Sequence, residues 1–258
     1  MSLLSIEKLT KSFGGLTAVS NVNMNIEKGE LIGLIGPNGA GKTTVFNLLT
    51  GVYVPSSGSI KLNVEGSKKE ISGLKPYNIT KIGLARTFQN IRLFKDLTVL
   101  DNIRIAMHQN INYKLSSGLI RTNKFYAEEE RLKKEAEELL DIFKLSNKKH
   151  ELAKNLPYGE QRHLEIVRAM ATKPVLLLLD EPAAGMNPNE TVILTETIAK
   201  IRKEYNLTIL LIEHDMSLVM KICERIYVLD YGTMIASGKP DEIKHNKKVI
   251  EAYLGEDV

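Results

Sequence analysis

Cysteine and long apolar runs are what this 258-residue chain has least of. Cys223 is its only cysteine, so no disulfide can form within the chain, as is usual in a reducing cytosol. The longest apolar run, Val175 to Leu179, is far too short to span a bilayer. The amino terminus lacks the basic segment and apolar run of a signal peptide. We therefore expect no transmembrane segment, and a partner protein wherever the chain works at a membrane.

Neither sign of charge dominates the chain. Lysine and arginine number 35 and aspartate and glutamate 31, which gives a formal net charge of +4. That excess is too small to indicate a nucleic-acid-binding surface, so we expect no nucleic acid as a partner. The apolar fraction of 43% and the charged fraction of 26% are typical of a soluble globular protein. The sequence shows no internal repeat and no low-complexity segment.

The apolar residues are distributed as in an α/β protein. Three short runs predict strands that are buried on both faces, as in a parallel sheet: residues 31–35, 175–179 and 208–212. A helical pattern at 190–204 separates two of them, and alternation of strand and helix predicts a parallel α/β sheet. Partial alternation in the first thirty residues predicts β structure with a loop at 11–17. A hairpin at 226–236 and a helix near 248–254 are predicted at the carboxyl end.

The segment from about residue 88 to 155 has a different character. Strand patterns are absent from it, and residues 125–144 form an amphipathic helical pattern. Its apolar stripe consists of Leu132, Ala136, Leu139 and Phe143. This segment is therefore a candidate for an inserted helical subdomain.

A glycine-rich loop stands between the predicted strand at 31–35 and a predicted helix at 43–50. Its candidate binding residues are Gly36, Pro37, Asn38, Gly39, Ala40, Gly41, Lys42, Thr43 and Thr44. Glycines let successive N–H groups converge on phosphate oxygens, and the helix directs its positive end to the same place. Lys42 is predicted to reach the β- and γ-phosphates, and the Thr43 hydroxyl to bind Mg²⁺. The strand before and the helix after disfavour a chance glycine turn, so we predict ATP as the ligand.

Two carboxylates follow the predicted strand at 175–179. Asp180 stands at its carboxyl end, where open α/β sheets bind ligands, and is predicted to hold the shell of Mg²⁺. Glu181 can orient or deprotonate a water in line with the γ-phosphate. The alternative is a capped strand end, which the preceding phosphate-binding loop disfavours.

With these motifs in place, the chain resembles the ATPases of the ABC transporter family over nearly its whole length. The resemblance implies that Phe13 stacks on adenine, that Gln89 contacts Mg²⁺ and water, and that His214 contacts the γ-phosphate. Taken alone, each residue has a structural alternative, such as an exposed loop aromatic for Phe13. His214 follows a predicted buried strand directly, which places it at the same sheet edge as Asp180.

The family's signature loop corresponds to residues 156–161. The resemblance implies that this loop completes the ATP site of a facing subunit, and Tyr158, Gly159 and Glu160 are the residues expected to contact that nucleotide. Tyr158 stands where the family usually has glycine, and Glu160 where it has glutamine. Pro157 replaces a serine, which removes a hydroxyl and a backbone N–H donor. Glu160 places negative charge near phosphate if it points inward.

The resemblance also implies the architecture. It is that of a P-loop NTPase cassette with a parallel core sheet, an antiparallel β subdomain and an inserted helical subdomain. Residues 1–258 form a single nucleotide-binding domain, with the α/β core and β subdomain at 1–88 and 161–258 and the helical subdomain at 89–160. Asn187 stands where the family usually has aspartate.

The segments 86–94, 157–159 and 183–188 together resemble the LivG-type ATPases of branched-chain amino-acid importers. That implies two transmembrane permease subunits, a second ATPase subunit and an extracytoplasmic amino-acid-binding protein as partners. It also implies peripheral attachment at the cytoplasmic face of the cell membrane. Three alternatives stay open: a related ABC system for urea, other amino acids or lipopolysaccharide, a soluble mechanical clamp, and a subunit that binds ATP without turnover.

Overall fold

Two β-sheets of different kinds form the centre of the protein. The computed structural model describes residues 2–111 and 120–254. The antiparallel sheet, in the order β2-β1-β4-β5, consists of β1 (Ser2–Phe13), β2 (Leu16–Glu27), β4 (Ser57–Val64) and β5 (Ser67–Glu70). The core sheet, in the order β10-β9-β3-β8-β7-β6, consists of β3 (Leu31–Ile35), β6 (Leu84–Arg86), β7 (Leu176–Asp180), β8 (Thr208–Ile212), β9 (Arg225–Asp230) and β10 (Thr233–Gly238). Within the core sheet, neighbouring strands from β9 to β6 pair in parallel, and β10 pairs with β9 antiparallel.

The central strands are buried on both faces, as their apolar sequences predict. All residues of β3, β7 and β8 are buried. Because successive side chains of a strand point to opposite faces, each strand contributes to two separate apolar clusters. Leu31, Leu177 and Leu211 belong to the cluster beneath the helical layer. Ile32, Leu178 and Leu210 belong to the cluster shared with the antiparallel sheet.

The described helices lie around these sheets. They are α1 (Lys42–Leu49), α2 (Pro76–Ile82), α3 (Val99–Met107), α4 (Asn123–Ile142), α5 (Tyr158–Met170), α6 (Pro188–Tyr205), α7 (Met216–Ile222), α8 (Pro240–Lys244) and α9 (Lys247–Leu254). Short 3₁₀ turns occur at His108–Asn110, Ser146–Lys148 and Ala153–Asn155. None of the helices in the described part of the chain is long and apolar enough to cross a membrane.

A helical layer is built from α3, α4 and α5, with α3 packing against both of the others. The predicted apolar stripe of α4 is buried there, including Leu132 and Ala136. Ile103 of α3 and Leu164 of α5 are fully buried in the same cluster. Each such aliphatic side chain contributes on the order of 1.5–3 kcal/mol through burial. This packing is what positions the amino terminus of α5, where the signature loop lies.

The structure confirms the predicted fold class, a parallel core sheet with an antiparallel β layer and a helical layer. The predicted loop at 11–17 is wrong in extent, because β1 continues to Phe13 and β2 begins at Leu16. The pairing of β1 with β2 therefore leaves only Gly14 and Gly15 as the turn. The division of the chain at residue 160 stays a prediction, and that boundary lies inside α5.

Candidate active site

The glycine-rich loop connects the end of β3 to the start of α1. Gly36 has φ of 151° and Gly41 has φ of 101°, both in the region that side chains rarely adopt. A Cβ on Gly36 would lie 1.9 Å from the carbonyl oxygen of Leu229, and one on Gly41 would lie 2.5 Å from that of Ala18. Larger residues therefore cannot occupy these two positions. The loop curls in the way that the sequence predicts for a phosphate cradle.

Lys42 is buried at the first turn of α1. Its Nζ donates to the carbonyl oxygens of Gly36, at 2.7 Å, and Pro37, at 2.9 Å. Burial lowers the pKa of Lys42, while the negative charges of Glu181 and Asp180 oppose that shift. A buried ammonium group bound mainly to neutral carbonyls is a favourable site for an anion.

A cavity of about 330 Å³ opens over this loop. Its lining consists of Ala18, Asn38, Gly39, Ala40, Gly41, Lys42, Thr43, Thr44, Gln89, Glu181 and His214. The structure therefore brings most of the predicted nucleotide-contacting residues of this chain to one place. That place is the carboxyl edge of the parallel sheet, where open α/β folds bind ligands.

Glu181 lies at the centre of the polar groups around the cavity. Gln89 donates from Nε2 to its Oε2 at 2.8 Å, and His214 Nε2 is 2.8 Å from its Oε1. Glu181 has φ of 47°, which is uncommon for a residue with a side chain. Such strained backbone is concentrated at functional sites.

Asp180 is buried and paired with an arginine of the neighbouring strand. Arg86 Nη2 donates to its Oδ2 at 2.5 Å, and both side chains are less than a tenth exposed. Arg86 Nη1 donates to Asn47 of α1 at 2.6 Å, and the guanidinium lies over the rings of Phe46 and Phe88. Arg86 was not among the predicted site residues. Its role depends on strand pairing between β6 and β7, which no local motif reveals.

Glu213 is a second residue that the sequence analysis missed. Its buried carboxylate accepts from the backbone N–H groups of Ala183, at 2.7 Å, and His214, at 3.1 Å. Burial raises the pKa of Glu213, and those backbone hydrogen bonds oppose the shift. Glu213 thereby connects the loop after Glu181 to the backbone of His214.

Phe13 and the signature loop lie outside the lining of the cavity. Phe13 is 41% exposed, and its ring meets Tyr53 edge-on with centroids 5.1 Å apart. Tyr158 begins α5 and is half-exposed, whereas Gly159 is buried. A Cβ on Gly159 would lie 3.0 Å from Glu190 Oε1, so this glycine allows α5 to approach α6.

The carboxylate of Glu160 is bound within its own chain. Lys148 Nζ donates to Oε1 at 2.7 Å and to Oε2 at 2.6 Å. Both side chains are about a third exposed or less. The negative charge that this loop introduces is thus compensated by a cation from the neighbouring 3₁₀ turn.

The single cysteine takes no part in the site. Cys223 is buried, and burial raises its pKa to about 12. A thiol with such a pKa is inert at neutral pH.

Comparisons with known proteins agree with this geometry. A family model described as ABC transporter matches residues 19–184, and one described as branched-chain amino acid ATP-binding cassette transporter matches residues 233–258. The chain is 49% identical over 254 residues, 98% of each protein, to the high-affinity branched-chain amino acid transport ATP-binding protein LivG of Escherichia coli (strain K12). It is 33% identical over 256 residues to the lipopolysaccharide export system ATP-binding protein LptB of Haemophilus influenzae, covering 99% of this chain and 98% of that protein.

Solved structures show the same fold. The ADP conformation of MJ1267, an ATP-binding cassette of an ABC transporter, matches with a TM-score of 0.84 and 29% identity, over 99% of this chain and 100% of that one. A dimeric post-hydrolysis state of the cassette MJ0796, bound to ADP and Pi, matches with a TM-score of 0.75 and 25% identity, over 92% of this chain and 98% of that one. The chain therefore belongs to the ABC transporter family, as one of its ATP-binding proteins.

Proposed function

We propose that this protein hydrolyses ATP to power an importer of branched-chain amino acids such as leucine, isoleucine and valine. The single observation that carries the catalytic part is the placement of Glu181. Its carboxylate is held from two sides, by Gln89 and His214, beside the phosphate-binding loop. A fixed carboxylate at that position can act on a water in line with the γ-phosphate.

Each residue then has a definite task. The backbone N–H groups of residues 36–44 cradle the phosphates, and Lys42 exchanges its carbonyl partners for phosphate oxygens. Glu181 orients the attacking water and accepts its proton, and His214 contacts the γ-phosphate while steadying Glu181. Phosphoryl transfer needs this positioning and charge neutralisation more than covalent chemistry.

The side-chain oxygens beside the cavity are also suitable ligands for Mg²⁺. Thr43, Asp180 and Gln89 offer one hydroxyl, one carboxylate and one amide oxygen, and Mg²⁺ ordinarily takes few protein oxygens together with phosphates and water. Among the described residues no group of three or more His, Cys, Asp or Glu side chains could hold a metal without such help. The ion supplies neutralisation of phosphate charge when ATP is bound.

Phe13 is proposed to stack on the adenine base. Its ring is part of an aromatic pair with Tyr53, and Lys11 Nζ lies 4.9 Å from its centroid. The ring is nonetheless substantially exposed, which leaves surface for a flat base.

The partners follow from the relatives. LivG is named for branched-chain amino acid transport, and this chain matches it over nearly its full length. We therefore propose two permease subunits, an external amino-acid-binding protein and attachment to the cytoplasmic face of the membrane. We also propose a second ATPase subunit whose signature loop completes each ATP site. The dimeric state of MJ0796 supports the dimer in this proposal. The lower identity to LptB makes lipopolysaccharide export the less favoured assignment.

The catalytic proposal is tested by Glu181→Gln. This change keeps the shape and removes the base, so steady-state ATPase activity should fall about 100-fold or more with ATP affinity retained. Glu196→Gln makes the same charge change on the exposed face of α6 and should leave turnover unaltered. Unchanged ATPase activity in Glu181→Gln would remove Glu181 from the catalytic role.

The cargo is tested by transport. The chain, copurified with its permeases and reconstituted into vesicles, should hydrolyse ATP faster when the binding protein carries leucine. Uptake of labelled leucine, isoleucine and valine should exceed uptake of urea or other amino acids. Stimulation by urea, or by lipopolysaccharide, would reassign the transporter to the corresponding related system.

A further inference from the structure

A buried arginine of α5 holds the backbone around Gln89. The Arg162 side chain is 0% exposed. Its Nη1 donates to the carbonyl oxygen of Phe88 at 2.6 Å, and its Nη2 donates to the carbonyl oxygen of Gln89 at 2.7 Å. Two strong donors of one rigid, planar group thus fix two consecutive carbonyls.

Glu165, one turn further along α5, completes this arrangement. It pairs with Arg162 through Oε2 at 2.9 Å and is 1% exposed. Its Oε1 accepts from the backbone N–H groups of Phe88, at 3.3 Å, and Arg92, at 3.2 Å. The two side chains, which we call the Arg162–Glu165 bracket, therefore bind acceptors and donors of residues 88–92 together.

The bracket lies between the signature loop and the catalytic carboxylate. Towards the signature loop, Arg162 Nη2 donates to the hydroxyl of Tyr158 at 3.1 Å. The Tyr158 ring in turn packs on Gly185, where a Cβ would lie 3.1 Å from it. Towards the cavity, the amide of Gln89 donates to Glu181, which contacts His214. One continuous set of polar contacts thus extends from Tyr158 to His214.

We propose that Arg162 is a positioning residue that couples the signature loop to Glu181 through Gln89. A displacement of the amino terminus of α5, where a facing subunit's nucleotide would bind, moves the backbone carbonyl of Gln89 and with it the Gln89 amide on Glu181. Nucleotide binding at one ATP site thereby changes the position of the catalytic residues at the other through this bracket. The inference rests on the proposed catalytic role of Glu181 and goes beyond it.

A purely structural ion pair would not need this geometry. A buried ion pair costs desolvation that an apolar replacement avoids, so such pairs are weak contributors to stability. Here three of the five hydrogen-bonding atoms of the pair, Arg162 Nη1 and Nη2 and Glu165 Oε1, bind the backbone of one segment, residues 88–92. Glu165 Oε2 binds Arg162 itself, and Arg162 Nε is buried without a partner. Buried polar networks of this kind specify a single arrangement of the groups that they join.

The test is a double-mutant cycle on the full purified chain. Arg162→Lys keeps the charge near Glu165 but cannot bind both carbonyls, so kcat for ATP should fall about tenfold with KM within about twofold. In the Gln89→Ala background, the same change should alter kcat less than about twofold, because the connection to Glu181 is already broken. Equal losses in both backgrounds would show that Arg162 does not act through Gln89.

Hydrogen exchange gives a second readout that does not require turnover. The amides of Phe88 and Arg92 should exchange about tenfold faster in Arg162→Lys, since a lysine cannot bind both carbonyls of Phe88 and Gln89 and the segment that carries these amides is then less restrained. Arg104→Lys, in an ion pair of the same helical layer with Glu129, is the matched control and should leave those amides unchanged. Unaltered exchange in Arg162→Lys would overturn the bracket as the restraint on this segment.

Glu181→Gln, measured alongside, separates the two proposals. If its turnover is retained, the catalytic role of Glu181 fails whatever Arg162 does. If turnover of Glu181→Gln falls while Arg162→Lys lowers kcat equally in both backgrounds, only the proposal that Arg162 acts through Gln89 is wrong.

Discussion

At the scale of single residues, the buried pair of Arg86 and Asp180 is the most consequential contact of the site. Asp180 ends β7 and Arg86 ends β6, so parallel pairing of these strands brings the two charges together. Neither charge is tolerable alone at this depth, because an unpaired buried ion costs several kcal/mol. The carboxylate proposed to serve Mg²⁺ is therefore already oriented by the fold.

Arg86→Met is predicted to destabilise the protein by about 3–5 kcal/mol, because it leaves the Asp180 charge buried without its partner. Urea unfolding of the nucleotide-free chain measures the loss. Arg104→Met removes an arginine whose pair with Glu129 is 41% and 25% exposed, and should cost less than about 1 kcal/mol. Equal losses for the two variants would mean that the Arg86 pair behaves as a surface contact.

His163 is predicted to make stability depend on pH. Burial lowers its pKa below the usual value of about 6.5, and the carboxylates of Glu160 and Glu190 oppose that shift. The unfolded chain then binds the proton more readily, so stability is full above about pH 6.5 and is lost as the pH falls below it.

His163→Phe removes the group and should flatten this pH dependence. The ring already meets Phe143 at 5.7 Å, so an aromatic replacement suits the site. The difference in unfolding free energy between the two proteins, measured by urea titration from pH 5 to 8, should change only below about pH 6.5. A difference that is constant with pH would contradict the prediction.

Local motifs predicted which residues surround the phosphate loop, but not how their charges are balanced. Lys42 and the glycines could be predicted because strand, loop and helix are contiguous in the sequence. Arg86, Arg162 and Glu213 could not, since each is defined by a partner from another element. For Arg162 that partner is a backbone segment more than seventy residues away.

At the scale of elements, α6 begins with a reciprocal cap that involves Asn187. Asn187 Oδ1 accepts from the backbone of Glu190 at 3.0 Å, and Glu190 Oε2 accepts from the backbone of Asn187 at 2.9 Å. Pro188 follows in the first turn, where its missing N–H is not needed. The departure from the family's usual aspartate thus preserves a capping function.

Asn187→Ala is predicted to cost about 1 kcal/mol, because it removes the side-chain oxygen that accepts from the backbone N–H of Glu190. Thermal unfolding of the full chain measures this loss. Asn187→Asp keeps the accepting oxygen and should stay within about 0.5 kcal/mol of the parent. If the aspartate variant loses as much as the alanine variant, the cap contributes nothing to stability.

The elements that the sequence predicted are those with an unambiguous apolar pattern. β3, β7 and β8 consist almost entirely of aliphatic residues, and α4 carries a clear stripe. β5 was missed because it is a polar edge strand, and every one of its residues is exposed. β4, which lies between β1 and β5, was missed because only Ile60 and Leu62 of its eight residues are buried. α2 was missed because its seven residues bury only Ile79 and give too little periodicity.

At the scale of the whole molecule, the unusual signature loop bears on assembly with a second subunit. Lys148 neutralises Glu160 within the chain, so the extra charge of this loop should not oppose a facing nucleotide. In the Glu181→Gln background, which should retain ATP, we predict that the double variant Lys148→Met, Glu160→Gln, which removes both charges of the pair, changes the dimer dissociation constant less than about twofold. Analytical ultracentrifugation with Mg²⁺ and ATP measures that constant.

Lys148→Met tests the opposite change, in which Glu160 keeps its charge but loses its partner. It exposes the Glu160 charge to the facing phosphates, so the dimer should weaken by about threefold or more. The double variant Lys148→Met, Glu160→Gln should recover the parent value, because no charge is then left uncompensated. If the double variant instead tightens the dimer about tenfold, the Glu160 charge opposes the facing nucleotide in the parent protein and Lys148 does not compensate it in the assembled state.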